Sequence, residues 1–271
     1  MTAGAQVTST LEQRAHAIRR TVLRMCRGRG QGYAGQGLSL ADLMAVLYFD
    51  ELRDHDHVVL STGHSAIAVF AALHEQGVYE LEELETYGMD GSRIEESPLE
   101  GTPGFEITGG SLGQGLSQAV GMALGERIKG SDGRVYCIVS DGELQEGQVW
   151  EAAMAASHHG LDNLVLLVDN NRIQADGDTA AVMGVEPIPA KLVAFGFAAR
   201  RVDPHSIPEL RAAFEEARST AGRPSALVCE TVPGRGVPSF EASQRVHYVR
   251  APREVWDRAL EELDRGEQAR R

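Results

Sequence analysis

The sequence predicts an α/β protein built on a parallel β-sheet with helices covering both of its faces. Three observations carry that expectation. Short apolar runs such as "RVYCIVS" and "NLVLLVD" alternate with longer segments of helical period. The runs are apolar throughout, as strands buried on both faces must be. Nearly every pair of them is separated by enough chain for a crossover helix, so parallel pairing follows.

Taken in order, Leu11, Ala15, Ile18, Val22 and Met25 share one helical face, which predicts a helix over 11–27. The glycine-rich "GRGQGYAGQG" reads as a loop. "SLADLMAVLYFDEL" reads as a helix with Ser39 at its N-cap. "HVVLST" is a short strand, and "SAIAVFAALHEQG" a helix stopped by Gly77. Residues 88–111 show no periodicity and read as a long loop of the kind that is often functional. "LGQGLSQAVGMALGERIKG" is then a helix, "RVYCIVS" a strand, "GQVWEAAMAASHHG" a helix and "NLVLLVD" a strand. A helix near 187–195, the strand "FAARRVD", a helix near 206–219 and the strand "SALVCET" continue the alternation. "REVWDRALEEL" is a last helix. No repeat or convincing boundary divides the chain, so residues 1–271 read as one domain, with 231–271 as a C-terminal arm and helix.

Composition narrows the function. The 271 residues are 42% apolar, enough for a sizeable core. A net charge of −13 argues against nucleic acid as a partner. Cys26, Cys137 and Cys229 form no CxxC pair and are odd in number, which argues against a disulfide framework or a zinc site. No apolar run reaches the roughly 18 residues a membrane span needs, and "MTAGAQVTSTLEQR" lacks a signal-peptide core. The expectation is a soluble cytoplasmic protein with no membrane partner.

Two weak motifs fail on context. Gly30-x-Gly32-x-x-Gly35 matches a dinucleotide fingerprint but follows a helix instead of a strand. "DNNRIQADGD" has neither the fifth ligand nor the terminal glutamate of a calcium loop. Asp141 and Asn171 are more informative. Both stand where a predicted strand ends, and parallel sheets bind ligands beyond the carboxyl ends of their strands. A carboxylate and an amide suit a hard divalent ion that takes its other oxygens from phosphate and water. Gly142 leaves room for a phosphate, and the helix start after it offers free N–H groups. On spacing alone a helix cap at Asp141 and a turn at Asn171 remain an equal reading.

"SDGELQEGQVWEA", "LDNLVLLVDNNRIQADG", "LSTGHSA" and "TGGSLGQGLSQAVGMAL", in one chain, together resemble the transketolase family. The likeness is to its N-terminal, thiamine diphosphate-binding segment and runs from the first helix to "TVPGRGV". A chain of this length resembles the N-terminal subunit of a split transketolase. That resemblance implies the thiamine diphosphate-binding fold and a set of roles. Asp141, Asn171 and the main-chain oxygen of Ile173 would hold Mg2+ (or Ca2+ or Mn2+). Gly142 and Glu143 would lie by the diphosphate, Gly110 would face the aminopyrimidine, and Leu112 would pack beside the thiazolium. His64 would bind the cofactor and act in catalysis, and His247 would line the substrate pocket. A separate subunit would supply the pyrimidine-binding domain and its glutamate, in an α2β2 heterotetramer, and the chain alone would be inert.

Three departures from the family pattern bear on the substrate. Tyr33 in "GYAGQGLS" stands where a family histidine is usual, Ser97 in "ESP" stands at another, and Ser140 replaces the first glycine of GDG. Tyr33 can still donate a hydrogen bond, but a phenol shuttles protons poorly near neutral pH. The main reading is transfer of a two-carbon ketol unit between unusual substrates of specialised metabolism. The alternatives are a subunit that decarboxylates a 2-oxo acid and transfers its acyl unit, and a cofactor-binding scaffold without catalysis.

Overall fold

The structure is a computed structural model that describes residues 3–243 and 245–270. The ends of the N-terminal stretch and of the C-terminal helix, and residue 244 of the expected arm, lie outside the described residues. Its strands are β1 (Gln31–Gly32), β2 (His57–Leu60), β3 (Val135–Ser140), β4 (Leu164–Asp169), β5 (Ile173–Gln174), β6 (Gly177–Asp178), β7 (Ala198–Val202), β8 (Ser225–Cys229) and β9 (Val249–Arg250). Its α-helices are α1 (Ala3–Arg29), α2 (Ala34–Ser39), α3 (Ala41–Val46), α4 (Ala66–Glu75), α5 (Leu81–Leu84), α6 (Gly115–Lys129), α7 (Gly147–His158), α8 (Thr179–Met183), α9 (Ile188–Ala194), α10 (Ile207–Ser219), α11 (Pro238–Glu241) and α12 (Arg253–Arg270). They group into two compact units.

One unit comprises Glu51–Gly63 and Phe105–Glu230. It holds a five-stranded parallel sheet in the order β2-β3-β4-β8-β7. Alternate residues explain its layers, because side chains in a strand point to opposite faces. Val135, Cys137 and Val139 of β3 and Leu164, Leu166 and Val168 of β4 face α6, α7 and α9 in one buried cluster. Tyr136 points the other way and meets Phe214 of α10 edge-on, with ring centroids 6.0 Å apart. Both faces of the sheet therefore carry helices, as the unbroken apolar strands require. Tyr136 and Arg218 also reach the buried Glu51 carboxylate, at 2.7 and 3.1 Å. Gly130 closes α6 at φ 71°, a conformation that glycine adopts without strain.

The other unit comprises the chain up to Asp50, His64–Gly104 and the chain from Thr231 on. Long α1 packs on α3, α4 and α12. Its stripe of Leu11, Ala15, Ile18, Val22 and Met25 is 0–3% exposed, so the periodicity identified the core face. Arg19 in that helix is buried, pairs with Asp42 and donates to the Leu38 carbonyl at 3.1 Å. Trp256 of α12 is fully buried, edge-on to Phe240 at 5.7 Å.

Several local expectations change. The glycine-rich stretch is not all loop, since it contains β1 and the wholly buried α2. Ser39 is the last residue of α2 instead of an N-cap, and its hydroxyl donates back to the Gln36 carbonyl at 3.0 Å. The helix expected after it is α3 followed by a π-turn over Leu47–Glu51. The arm expected at the start of 231–271 carries structure of its own, because α11 lies within it and β9 pairs antiparallel with β1. In each case tertiary contacts outweigh a weak local preference for loop. Three expected features are found closely: the helix near 206–219 is α10, with Ser206 as its N-cap, Gly77 follows the end of α4, and 88–111 holds no helix or strand.

Candidate functional site

β3 and β4 are neighbours in register, with Ser140 opposite Asp169. The ladder carries on past that pair, as the Asp141 N–H donates to the Asp169 carbonyl at 3.0 Å. Asp141, Asp169, Asn170 and Asn171 consequently crowd the carboxyl edge of the sheet, each no more than 5% exposed. Asp141 Oδ1 accepts from the Gly142 N–H at 2.9 Å. Asp169 Oδ2 accepts from the Asn171 amide at 2.8 Å, and Asn171 Oδ1 accepts from the Ile173 N–H at 2.9 Å. Burial, reinforced by the Asp169 carboxylate, pushes the Asp141 carboxyl up to about 7.

Asp141 has no ion-pair partner among the described residues. A desolvated carboxylate beside a second one, unmatched by any side-chain cation, fits a bound cation. No group of three or more His, Cys, Asp or Glu side chains surrounds a common point among the described residues. The donors available are thus mixed hard oxygens: a carboxylate, an amide and the Ile173 main-chain carbonyl. Magnesium and calcium accept such a set, and soft metals do not. Arg172, between two of these donors, adopts φ 61°. Its carbonyl accepts from the Thr179 N–H at 3.0 Å, and its guanidinium meets Glu230 at 2.5 Å, which holds the short β5–β6 hairpin in place.

The turn after β3 is capped by Ser140 and not by Asp141: the Ser140 hydroxyl accepts from the Glu143 N–H at 3.1 Å. Glycine at that position could not do this. Gly142 is fixed by packing, since a Cβ there would stand 3.0 Å from Gln174. Glu143 is fully buried. One of its oxygens accepts from the Ser61 hydroxyl and from the Gly113 N–H, the latter at 2.7 Å. The other, Oε2, has no partner. Burial raises this carboxyl above its ordinary range, and the bonds from Ser61 and Gly113 oppose the rise. Ser61 also accepts from the Gly115 N–H at 3.0 Å. The loop carrying Gly110 and Leu112 is thereby tied to the ends of β2 and β3. Gly110 (φ 112°) lies so close to Gly63 that a Cβ on Gly63 would fall 2.4 Å from its nitrogen.

In the helical unit, Tyr33, His64 and His247 come together from three distant stretches. Ring centroids are 5.3 Å apart for Tyr33–His64, 5.6 Å for Tyr33–His247 and 5.4 Å for His64–His247. Tyr248 closes on Tyr33 at 4.8 Å and donates its hydroxyl to Glu96 at 2.6 Å. Desolvation lowers His64 to about 4, with His247 adding to the effect, and lowers His247 as well. Desolvation raises the Tyr33 phenol. Both histidines are therefore neutral near pH 7 and Tyr33 keeps its proton. Ser97 makes no hydrogen bond among the described residues.

Each unit thus gathers its own share of the expected residues. Ser61, Gly113, Gln36 and Tyr248 were not legible beforehand. Asp169 stood inside a quoted motif with no role. Ser61, Gly113 and Gln36 stood inside quoted stretches and Tyr248 beside His247, but nothing in the sequence set them apart from their neighbours.

The sequence profile of the transketolase thiamine diphosphate binding domain matches residues 11–254. A transketolase family protein of Sinorhizobium fredii is 45% identical over 95% of this chain and 96% of its own length. A 6-deoxy-6-sulfo-D-fructose transketolase subunit of a Clostridium species is 35% identical over 94% of this chain and 96% of its own. Among solved structures, transketolase from Campylobacter jejuni superposes with a TM-score of 0.86 at 29% identity, covering 97% of this chain. The chain spans 43% of that longer protein, whereas it spans nearly all of the two relatives. Among the described residues no helix is long and apolar enough to cross a membrane.

Proposed function

The chain belongs to the transketolase family, with residues 11–254 forming its thiamine diphosphate-binding domain, and from that premise we propose that it is one subunit of a split, cytoplasmic transketolase. It holds the diphosphate end of the cofactor. A separate pyrimidine-binding subunit contributes the remaining half of the site and a glutamate, and together they move a two-carbon ketol unit from a donor to an acceptor. The observation that carries this reading is the buried Asp141 carboxylate beside Asp169 and Asn171, for which no ion pair is found among the described residues and to which a cation would be the natural partner. The Clostridium relative's name, which makes it a subunit, supports a partner chain. The matched profile extends over both compact units, which supports their working as one domain across 1–271.

Asp141, Asn171 and the Ile173 carbonyl would hold Mg2+, with Ca2+ or Mn2+ as substitutes, against a diphosphate at Gly142. Thiamine diphosphate supplies the nucleophilic carbon and the electron sink of the reaction. The protein's own residues bind, orient and move protons. His64 and His247, kept neutral by desolvation, can each accept a proton at one ring nitrogen and donate a hydrogen bond from the other. Tyr33 donates a hydrogen bond and retains its proton. Gly110 and Leu112 lie on the loop tied down by Glu143 and present main chain and apolar surface to the cofactor.

The test is reconstitution of this chain with a pyrimidine-binding partner, thiamine diphosphate and Mg2+, assembling as α2β2, followed by a donor screen read by mass spectrometry. Ketol transfer by the complex and none by the isolated chain is the expected result. Full turnover by the chain alone would refute the split-site reading. Release of carbon dioxide from pyruvate with acyl transfer would replace ketol transfer by the 2-oxo acid reading. Cofactor binding without any turnover in the complex would leave a scaffold.

A further inference from the structure

Helix α2 is a buried helix with very little side-chain freedom. A Cβ on Gly35 would lie 2.4 Å from the Val246 carbonyl oxygen, and the Gly35 N–H donates to that same oxygen at 3.1 Å. A Cβ on Gly37 would lie 2.7 Å from Val22 and 2.9 Å from Ile67. Gly35 therefore seats the helix against the main chain that immediately precedes His247, and Gly37 seats it against the side chains of Val22 and Ile67. Gln36, between them, is the one residue of the run with a long side chain, and it is 3% exposed. Its Nε2 donates to Nδ1 of His247, while its carbonyl oxygen Oε1, buried, has no hydrogen-bond partner. An unmatched buried acceptor is costly, and a donor arriving from outside the chain would remove that cost. The hydroxyl of Tyr33 makes no hydrogen bond to it.

We infer that Gln36 fixes His247 in the tautomer protonated on Nε2 and offers its free Oε1 to a substrate hydroxyl, so that this glutamine helps select hydroxyl-bearing substrates. With Nδ1 accepting from the amide, the imidazole proton is confined to the ring nitrogen on the far side from Gln36, and the ring cannot rotate without losing the bond. Tyr33, edge-on to His247 at 5.6 Å, and His64, at 5.4 Å, confine the same ring. This rests on the reading that His247 faces the substrate. It adds that the hydroxyl recognition lost with the family histidines at positions 33 and 97 is supplied in part from position 36. Gln36 is a positioning residue toward His247 and a direct binding residue toward the hydroxyl.

The first arm of the test needs neither partner nor cofactor. Nitrogen-15 spectra of the histidine-labelled full chain, with H247N to assign the signal, should show His247 protonated on Nε2. Q36L should release it into a mixture of tautomers. Q36E, whose carboxylate can only accept at that position, should reverse the tautomer to Nδ1–H and raise the pKa of the ring. Unchanged His247 signals in both folded variants would overturn the pairing. The second arm uses the reconstituted complex with hydroxypyruvate and pyruvate, two donors that differ by one hydroxyl. Q36L should lower the preference for hydroxypyruvate, as a ratio of kcat/KM values, by roughly tenfold or more, with pyruvate little affected. An unchanged ratio would overturn hydroxyl recognition. A complex that turns over no donor at all would count against the proposed function instead, and the spectra would still decide the pairing of Gln36 with His247.

Discussion

Glu143 accepts a 2.7 Å hydrogen bond from the main-chain N–H of Gly113, thirty residues before it, and the same oxygen also takes the Ser61 hydroxyl. One buried carboxylate thus ties the loop that carries Gly110 and Leu112 to two strand ends. Glu143→Ala should leave two buried donors unmatched and cost about 1–3 kcal/mol. Hydrogen exchange across residues 109–115 should quicken by roughly tenfold, and Glu143→Gln, which keeps the accepting oxygen, should restore much of the protection. Equal exchange in Glu143→Ala and wild type would show that the loop does not depend on this contact.

Gly63 has no space for a side chain. A Cβ would stand 2.4 Å from the Gly110 nitrogen, which is main chain and cannot swing aside. Gly63→Ala should destabilise the chain by roughly 1–3 kcal/mol. It should also weaken thiamine diphosphate binding in titration calorimetry. Wild-type affinity in that variant would mean that the placement of Gly110 is immaterial to the cofactor.

Asp141 ionises only near pH 7 in the folded chain, against about 4 when unfolded. Between those values the native state binds the extra proton, so this contribution is lost as pH rises from about 4 to about 7 and stays lost above it. Without divalent ions, Asp141→Asn should therefore melt higher than wild type at pH 8, by about 4 kcal/mol at most. Added Mg2+ should stabilise the wild type and leave the variant unmoved. A variant that melts lower than wild type in chelator would contradict the unmatched-charge account.

His64 behaves in the opposite sense. Its folded pKa of about 4 lies below the unfolded value of about 6.5. In that interval the unfolded chain takes up a proton that the folded chain refuses, so stability falls as pH drops from about 6.5 to about 4. His64→Gln should flatten the melting curve over this range by close to one proton. A slope identical to that of wild type would mean that His64 titrates normally in the fold.

Much of the architecture was legible because burial imposes a period. The stripe from Leu11 to Met25 and the unbroken runs of β3 and β4 could bury their apolar surface in only one arrangement each. The proposed cation ligands were legible for a related reason. Asp141 and Asn171 are separated from the strands before them by a residue or two, so locating the strands located the donors. The glycine-rich run at 28–37 was misread as loop because glycine weakens any local preference for helix. Its helix exists only where Val246, Val22 and Ile67 press against Gly35 and Gly37.

By itself the sequence determined the five strands of the parallel sheet, the helices that connect them, the α/β class and the residues at the carboxyl ends of β3 and β4, since these follow from periodicity and from a few residues of chain. The tertiary structure decided which distant groups meet: Glu143 with Ser61 and Gly113, and Gln36 with His247 across 211 positions of sequence. Hydrogen bonds of that kind leave no periodic trace, because only the packing of the surrounding core brings donor and acceptor within reach. The same packing removes water, and with it sets the protonation of Asp141 and His64.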